Sequence, residues 1–105
     1  MKIEEYQDPK GISPFSEWFG NLDTQAALLI TTILTRIQHG NVSNIKGIGN
    51  GVFERTIDQG PGYRIYFGKD GPDLIILLGG GIKRGQQKDI DKAKSLWKEY
   101  KGRKK

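Results

Sequence analysis

Gly60-Pro61-Gly62-Tyr63-Arg64-Ile65-Tyr66-Phe67-Gly68, then Lys69-Asp70-Gly71-Pro72, then Asp73-Leu74-Ile75-Ile76-Leu77-Leu78-Gly79-Gly80-Gly81-Ile82-Lys83-Arg84, is the stretch that decides the fold. Two runs rich in β-branched and aromatic residues are separated by turn-forming Gly, Pro and Asp, which predicts antiparallel neighbours over Tyr63 to Gly68 and Asp73 to Leu78. Leu74 to Leu78 has no polar alternation, so it is expected to lie centrally in the sheet with both faces covered. The hairpin carries Arg64 in one strand and ends in a triple glycine followed by Lys83 and Arg84, so several cations come close together. Such a cluster suits a phosphate, because guanidinium donates in a fork that matches phosphate oxygens.

Upstream, Val52 to Asp58 reads as a further strand, completing a β-meander, and His39 to Asn50 reads as a polar connection. Leu22, Ala26, Leu29, Ile30, Ile33 and Ile37 recur at helical spacing and predict a helix from about Asp23 to Gln38, stopped by Gly40. Gln25, Thr32 and Arg36 then face outward. Ser13-Pro14 opens a shorter helix, with Ser13 as N-cap and Pro14 at its first position, and Gly20-Asn21 ends or bends it. Residues 2 to 6 are expected to form a short first strand, broken by Asp8-Pro9-Lys10-Gly11. Downstream, Ile90, Ala93, Trp97 and Tyr100 form one stripe of a closing helix from about Gln86 to Tyr100, with Lys88, Lys92 and Lys98 mostly away from it. That register makes Trp97 a core residue before a base-stacking one.

The chain has 105 residues and no Cys, enough for one domain and too few for a second lobe. The absence of Cys fits a reducing cytosol, and Met1-Lys2-Ile3-Glu4-Glu5 has no apolar signal region, so a cytoplasmic protein is expected. The longest apolar run, Leu74 to Leu78, falls far short of the roughly 18 residues of a membrane span. Charge is uneven. Lys2 and Lys10 stand against Glu4, Glu5, Asp8, Glu17 and Asp23 in the first thirty residues, whereas Lys83 to Lys105 holds ten Lys or Arg against Asp89, Asp91 and Glu99. The basic end predicts salt-dependent attraction to nucleic acid or to an acidic partner, although a Lys-rich tail also serves solubility. With one His, His39, and no cluster of metal-ligand residues, His-based or zinc-based hydrolysis lacks its parts, and no cofactor is implied. The triple glycine is no P-loop, since no Gly-Lys-Ser or Gly-Lys-Thr follows it.

The order of elements, the run Gly60-Pro61-Gly62-Tyr63-Arg64-Ile65-Tyr66-Phe67 and the run Leu77-Leu78-Gly79-Gly80-Gly81-Ile82-Lys83-Arg84-Gly85-Gln86-Gln87-Lys88-Asp89-Ile90 together resemble the HigB-like branch of the RelE/ParE toxin superfamily. The resemblance covers nearly the whole chain. It implies a single RelE-like domain over residues 1–105, an α+β fold of order β-α-α-β-β-β-α around a small antiparallel sheet. It also implies the toxin of a type II toxin–antitoxin pair, usually a ribosome-dependent mRNA endonuclease, with a helix-turn-helix antitoxin as cognate partner. Two alternatives stay open, a gyrase-inhibiting toxin of the same superfamily and a basic module that binds nucleic acid or antitoxin without catalysis.

Cleavage of RNA without a metal needs the 2′-OH deprotonated, the phosphorane charge neutralised and the leaving 5′-oxygen protonated. Arg64 is expected to clamp the phosphate, its other reading being a surface cation that spans an edge or pairs with Glu54. Lys83 and Arg84, after a flexible glycine run, come second for neutralising charge, and Glu54 stands as a possible general base or a partner of Arg64. Where the family pattern has an Arg two places after that Glu, this chain has Thr56; Arg55 either replaces it or faces the other way. Tyr66 either stacks on an mRNA base or fills the sheet surface. Lys46, placed in the loop before that strand, and Lys88 are candidate contacts to RNA backbone. His39 is expected to cap the second helix.

Overall fold

The chain lays down β1 (Lys2–Glu5), α1 (Pro14–Gly20), α2 (Thr24–Gln38), β2 (Ile45–Gly49), β3 (Val52–Ile57), β4 (Tyr63–Lys69), β5 (Leu74–Ile82) and α3 (Gln86–Arg103) in a computed structural model that describes residues 1–104. The strands make one sheet in the order β1-β5-β4-β3-β2. The meander β2 to β5 is antiparallel, while β1 pairs in parallel with β5, Ile3 opposite Ile75 and Glu5 opposite Leu77. The sheet is therefore mixed, not antiparallel throughout. β4 is the middle strand; β5 is interior, flanked by β1 and β4.

Two segments differ from the sequence expectation. Residues Ile45 to Gly49, read as part of a polar connection, form an edge strand, joined to β3 by Asn50-Gly51 with φ of 61° and 81° at the two turn residues. Both angles are left-handed, as a tight two-residue hairpin turn requires. The triple glycine, read as a flexible loop, is the second half of β5: Gly79, Gly80 and Gly81 pair with Tyr66, Ile65 and Arg64. A Cβ on Gly80 would overlap the Trp18 indole and one on Gly81 would overlap the Asp89 carboxylate. The backbone is bare there because α1 and α3 press on it from opposite faces.

The helices follow the pattern expected. Ser13 Oγ accepts from the Ser16 N–H, closing the start of α1 with Pro14 in its first turn, and Asp23 Oδ1 does the same for α2 through Ala26. The C-terminus of α2 closes with Gly40 at φ 94°, its N–H donating to Ile37 and that of Asn41 to Arg36, so two otherwise orphaned carbonyls are satisfied. Helices α1 and α2 cover one face of the sheet, burying Phe15, Ile30, Ile33 and Ile37 against Ile57, Ile65, Phe67, Ile75 and Leu77. Helix α3 covers the other, burying Ala93 and Trp97 against Tyr6, Val52, Tyr66, Ile76 and Leu78. Alternate residues of Ile75 to Leu78 thus feed two cores, which explains their unbroken apolarity. Among the described residues no helix is long and apolar enough to cross a membrane.

Candidate functional site

On the α3 face, β3, β4 and the first turn of α3 converge on Glu54. Alternation along β3 sends Val52 and Glu54 to this face, and Glu54 is 0% exposed. A buried carboxylate is expensive unless donors and opposite charge surround it. Gln86 Nε2 donates to Oε2 at 2.7 Å, Arg64 Nε lies 4.0 Å from the same oxygen, and Lys46 Nζ lies 3.5 Å from Oε1. Even so, Glu54 Oε1, Arg64 Nε and the Tyr66 hydroxyl have no hydrogen-bond partner among the described residues.

Arg64 is 8% exposed, and its Nη1 donates to the Gly62 carbonyl at 2.6 Å. Gly62, at φ 78°, adopts a backbone that L side chains rarely take; a Cβ there would also lie 2.9 Å from Arg64 Nη1 and 3.2 Å from Lys83 Cβ. The Lys83 N–H donates to the Pro61 carbonyl at 3.3 Å, tying the end of β5 to the same turn. Arg64 and Lys83 therefore flank Gly62, one nearly buried and one exposed, with Arg84 exposed next in the chain. A guanidinium has five N–H donors, and only one of those on Arg64 has a hydrogen-bond partner in this network. Spare donor capacity beside an exposed ammonium is what an incoming phosphate oxygen needs.

The other predicted residues divide between the two faces. Arg55 lies on the α1/α2 side, its guanidinium donating to the Thr56 carbonyl and held below its usual pKa by burial first and by Arg36 second. It does not join the cluster, so of its two readings the one in which it faces the other way is the observed one. Tyr66 is 1% exposed and fills the space under α3, leaving no ring face on which a base could stack. Its phenol is pushed well above the ordinary value, by burial first and then by the Glu54 charge. Glu54 itself has no exposed surface from which to reach a 2′-OH and is placed to hold Arg64. Lys46 is in β2, opposite Glu54 in register, not in a loop. Lys88 is exposed on the first turn of α3, near enough to Asp89 to favour its charged form. His39 caps α2, with Nδ1 2.8 Å from the Thr35 carbonyl.

Gln86 and Asp89 are the residues that sequence reasoning left without a role. They occupy one stripe of α3 with Ala93, and Asp89 packs on the bare backbone of Gly81, directly across the ladder from Arg64. Burial raises the Asp89 carboxyl above its ordinary pKa, against the opposing effects of Lys92 and Lys88. The signal lay in the Gln-Gln-x-Asp-Ile run itself, whose polar residues fall in line with Ile90 and Ala93. Among the described residues no three His, Cys, Asp or Glu side chains come close enough together to hold a metal ion.

Fold and site together define a one-sheet α+β protein in which a buried Glu54–Arg64–Gln86 network ends at an exposed basic turn. No family model matches the chain. An uncharacterized protein of Haemophilus influenzae (strain ATCC 51907 / DSM 11121 / KW20 / Rd) is 42% identical over 86 residues, which cover 81% of this chain and 87% of that protein. The chain belongs to the family of that Haemophilus protein.

Proposed function

We propose that this protein is a RelE/ParE-type toxin of the HigB-like branch, with a RelE-like fold, that cleaves mRNA on the ribosome without a metal. The observation that carries the reading is Arg64, oriented by buried Glu54 and by the Gly62 carbonyl and set beside exposed Lys83. In this mechanism the RNA 2′-oxygen loses its proton and attacks the adjacent phosphorus, and the 5′-oxygen leaves and takes up a proton. Arg64 and Lys83 donate to the phosphorane oxygens, whose added negative charge exists only near the transition state. Arg84 extends the basic rim, and Lys46 and Lys88 meet RNA backbone. A cognate helix-turn-helix antitoxin silences the toxin, and the cytoplasm is where it acts.

The test is to map mRNA 5′ ends in cells shortly after induction of the wild-type chain, with Arg64→Ala as matched control. New ends within translated frames that vanish in the variant support the nuclease. Growth arrest without new ends turns the reading to a gyrase-directed toxin, checked by DNA supercoiling. Neither ends nor arrest leaves a non-catalytic basic binding module.

A further inference from the structure

A cavity of about 430 Å³ opens between α1 and α3, beside the end of β5. It lies off the basic turn, and its chemistry is the opposite. Asp8, Glu17 and Asp89 line it, against the single amine of Lys92. In a chain of formal net charge +5, this is a local reversal of sign. Its apolar wall comes from Trp18, Leu78 and Leu96, and its floor at Gly79 is open, since a Cβ there would meet nothing within 4 Å.

Two further observations point to an occupant. Tyr6 and Tyr66 both line the cavity, both are about 1% exposed, and neither hydroxyl makes a well-formed hydrogen bond among the described residues, although the Glu99 carboxylate stands near the first and that of Glu54 near the second. A buried hydroxyl left unpaired costs roughly 1–3 kcal/mol, so two at one cavity mark a place where a ligand supplies what the protein does not. The backbone adds acceptors: β1 pairs with β5 only as far as Leu77, and no strand covers the outer edge of β5 beyond it. The three carboxylates only accept, and the phenol oxygens and strand carbonyls can accept as well, so a donor is the partner that serves all of them, each phenol O–H staying free to turn to the carboxylate beside it. The carboxylates stand around the wall, not close enough together to share a metal ion. That spacing favours an extended cation over a point charge.

We propose that this cavity binds an organic cation, a guanidinium or ammonium group on an apolar stem, with Asp89, Glu17 and the Tyr66 hydroxyl as acceptors and Trp18 against the stem. Two sources supply that chemistry: a small amine free in solution, or an Arg or Lys side chain of a partner protein. Guanidinium is the better fit, since its planar donors serve several acceptors at once and stack on aromatic faces. An arriving cation offsets with its opposite charge the burial that raises the Asp89 carboxyl, so binding near the carboxylate range releases protons and strengthens as pH rises through it. The inference does not depend on the nuclease reading, because Asp89 and Glu17 make no hydrogen bond or ion pair with Arg64 or Lys83 among the described residues, although Tyr66 borders the Glu54 carboxylate.

The test is calorimetric titration of the intact chain with agmatine, with butylurea as an uncharged control of similar shape and with the blocked peptide acetyl-Gly-Arg-Gly-amide. Agmatine is expected to bind and butylurea to fail. Asp89→Asn is expected to weaken agmatine about tenfold or more, as for loss of a hydrogen bond to a charged group. Glu17 is exposed, so Glu17→Gln leaves the fold intact and is expected to weaken binding about threefold, in the range of a partly screened charge. Tighter binding of the peptide than of agmatine assigns the cation to a partner's side chain, and the reverse assigns it to a free amine. No heat with either cation at millimolar concentration, or binding that both variants leave unchanged, overturns the proposal.

Discussion

Gln86 donates through Nε2 to Glu54 Oε2 at 2.7 Å, joining the first turn of α3 to the middle of β3 across 32 residues of sequence. It is the sole side-chain hydrogen bond to the buried Glu54 carboxylate among the described residues. Helix α3 follows Gly85, at φ 86°, with no side-chain cap, so the Gln86 side chain ties that helix end to the sheet. Its amide stands at the boundary between the α3 core and the basic turn.

Gln86→Ala removes the donor and leaves a buried carboxylate oxygen unpaired, which costs about 1–3 kcal/mol. The loss is read from urea unfolding midpoints. Gln86→Glu should cost more, because it sets a second carboxyl against the first. A Gln86→Ala midpoint equal to wild type would mean that Glu54 is held by Arg64 and Lys46 alone.

The three glycines of β5 should respond unequally to alanine. Gly80→Ala drives a methyl group into the Trp18 ring, which is bounded by Phe15 and Tyr63, and overpacking of that kind costs typically about 1–3 kcal/mol. Gly81→Ala meets the end of the Asp89 side chain, which can turn aside, and Gly79→Ala meets open space. The expected order of melting temperatures is Gly80→Ala lowest, then Gly81→Ala, then Gly79→Ala nearest wild type. Equal losses at all three would show that strand propensity, not contact, requires glycine here.

Much of this fold was legible, and the exceptions have physical causes. Helix stripes such as Ala26, Ile30, Ile33, Ile37 and caps such as Ser13 and Asp23 are local, so periodicity and turn chemistry revealed them. β2 was hidden because its two large apolar residues serve opposite faces of the sheet, Ile45 the α1/α2 core and Ile48 the α3 core, and with Lys46, Gly47 and Gly49 between and beyond them no alternating stripe is left in the sequence. Asn50-Gly51 carries the one local hairpin signal in this segment. The parallel pairing of β1 has no local signature at all. In the site, alternation put Arg64 and Tyr66 on one face, but Gln86 and Asp89 join it only through the docking of α3, which no spacing along the chain encodes.

Asp70, between β4 and β5, staples the end of α3 to the sheet through Tyr100 and Lys104, and that staple is sensitive to acid. Hydrogen bonds from Lys104 and Tyr100 to its carboxylate hold its pKa below the ordinary 3.8. The folded value lies below the unfolded one, so the staple's contribution is full above the ordinary carboxylate range and is lost as pH falls through the lowered value. Wild type should therefore lose more stability between pH 5 and pH 2, as rough limits of that range, than Asp70→Asn. Parallel acid-limb slopes in the two proteins would remove Asp70 from the account.

Asp89 has the opposite sign. Burial raises its folded pKa above the unfolded one, so its charged form opposes folding once pH exceeds the ordinary value, and the penalty is fully present above the raised value. Asp89→Asn should therefore be more stable than wild type at neutral pH, and the advantage should vanish at acid pH where the carboxyl is protonated in both states. Thermal melts at pH 7 and pH 3 read this directly. A stability gain that accompanies loss of agmatine binding is the pattern of a residue kept for a ligand. An Asp89→Asn protein less stable than wild type at both pH values would instead make the carboxylate a structural contact of Gly81.

The division of cations between the two faces of the sheet predicts a division of phenotypes. Arg64 lies on the α3 face beside Lys83 and Gly62, whereas Arg55, also nearly buried, lies on the α1/α2 face near Arg36. If the proposed nuclease acts through the basic turn, Arg64→Ala abolishes toxicity on induction, and Lys83→Ala, at an exposed position, reduces it at unchanged melting temperature. Arg55→Ala should leave toxicity near wild type. Arg64→Lys separates charge from geometry, since an ammonium keeps the charge but loses the fork; restored toxicity would mean that charge alone suffices, and continued loss that paired donors are required. Toxicity that survives Arg64→Ala in a folded protein but falls with Arg55→Ala would move the site to the other face of the sheet.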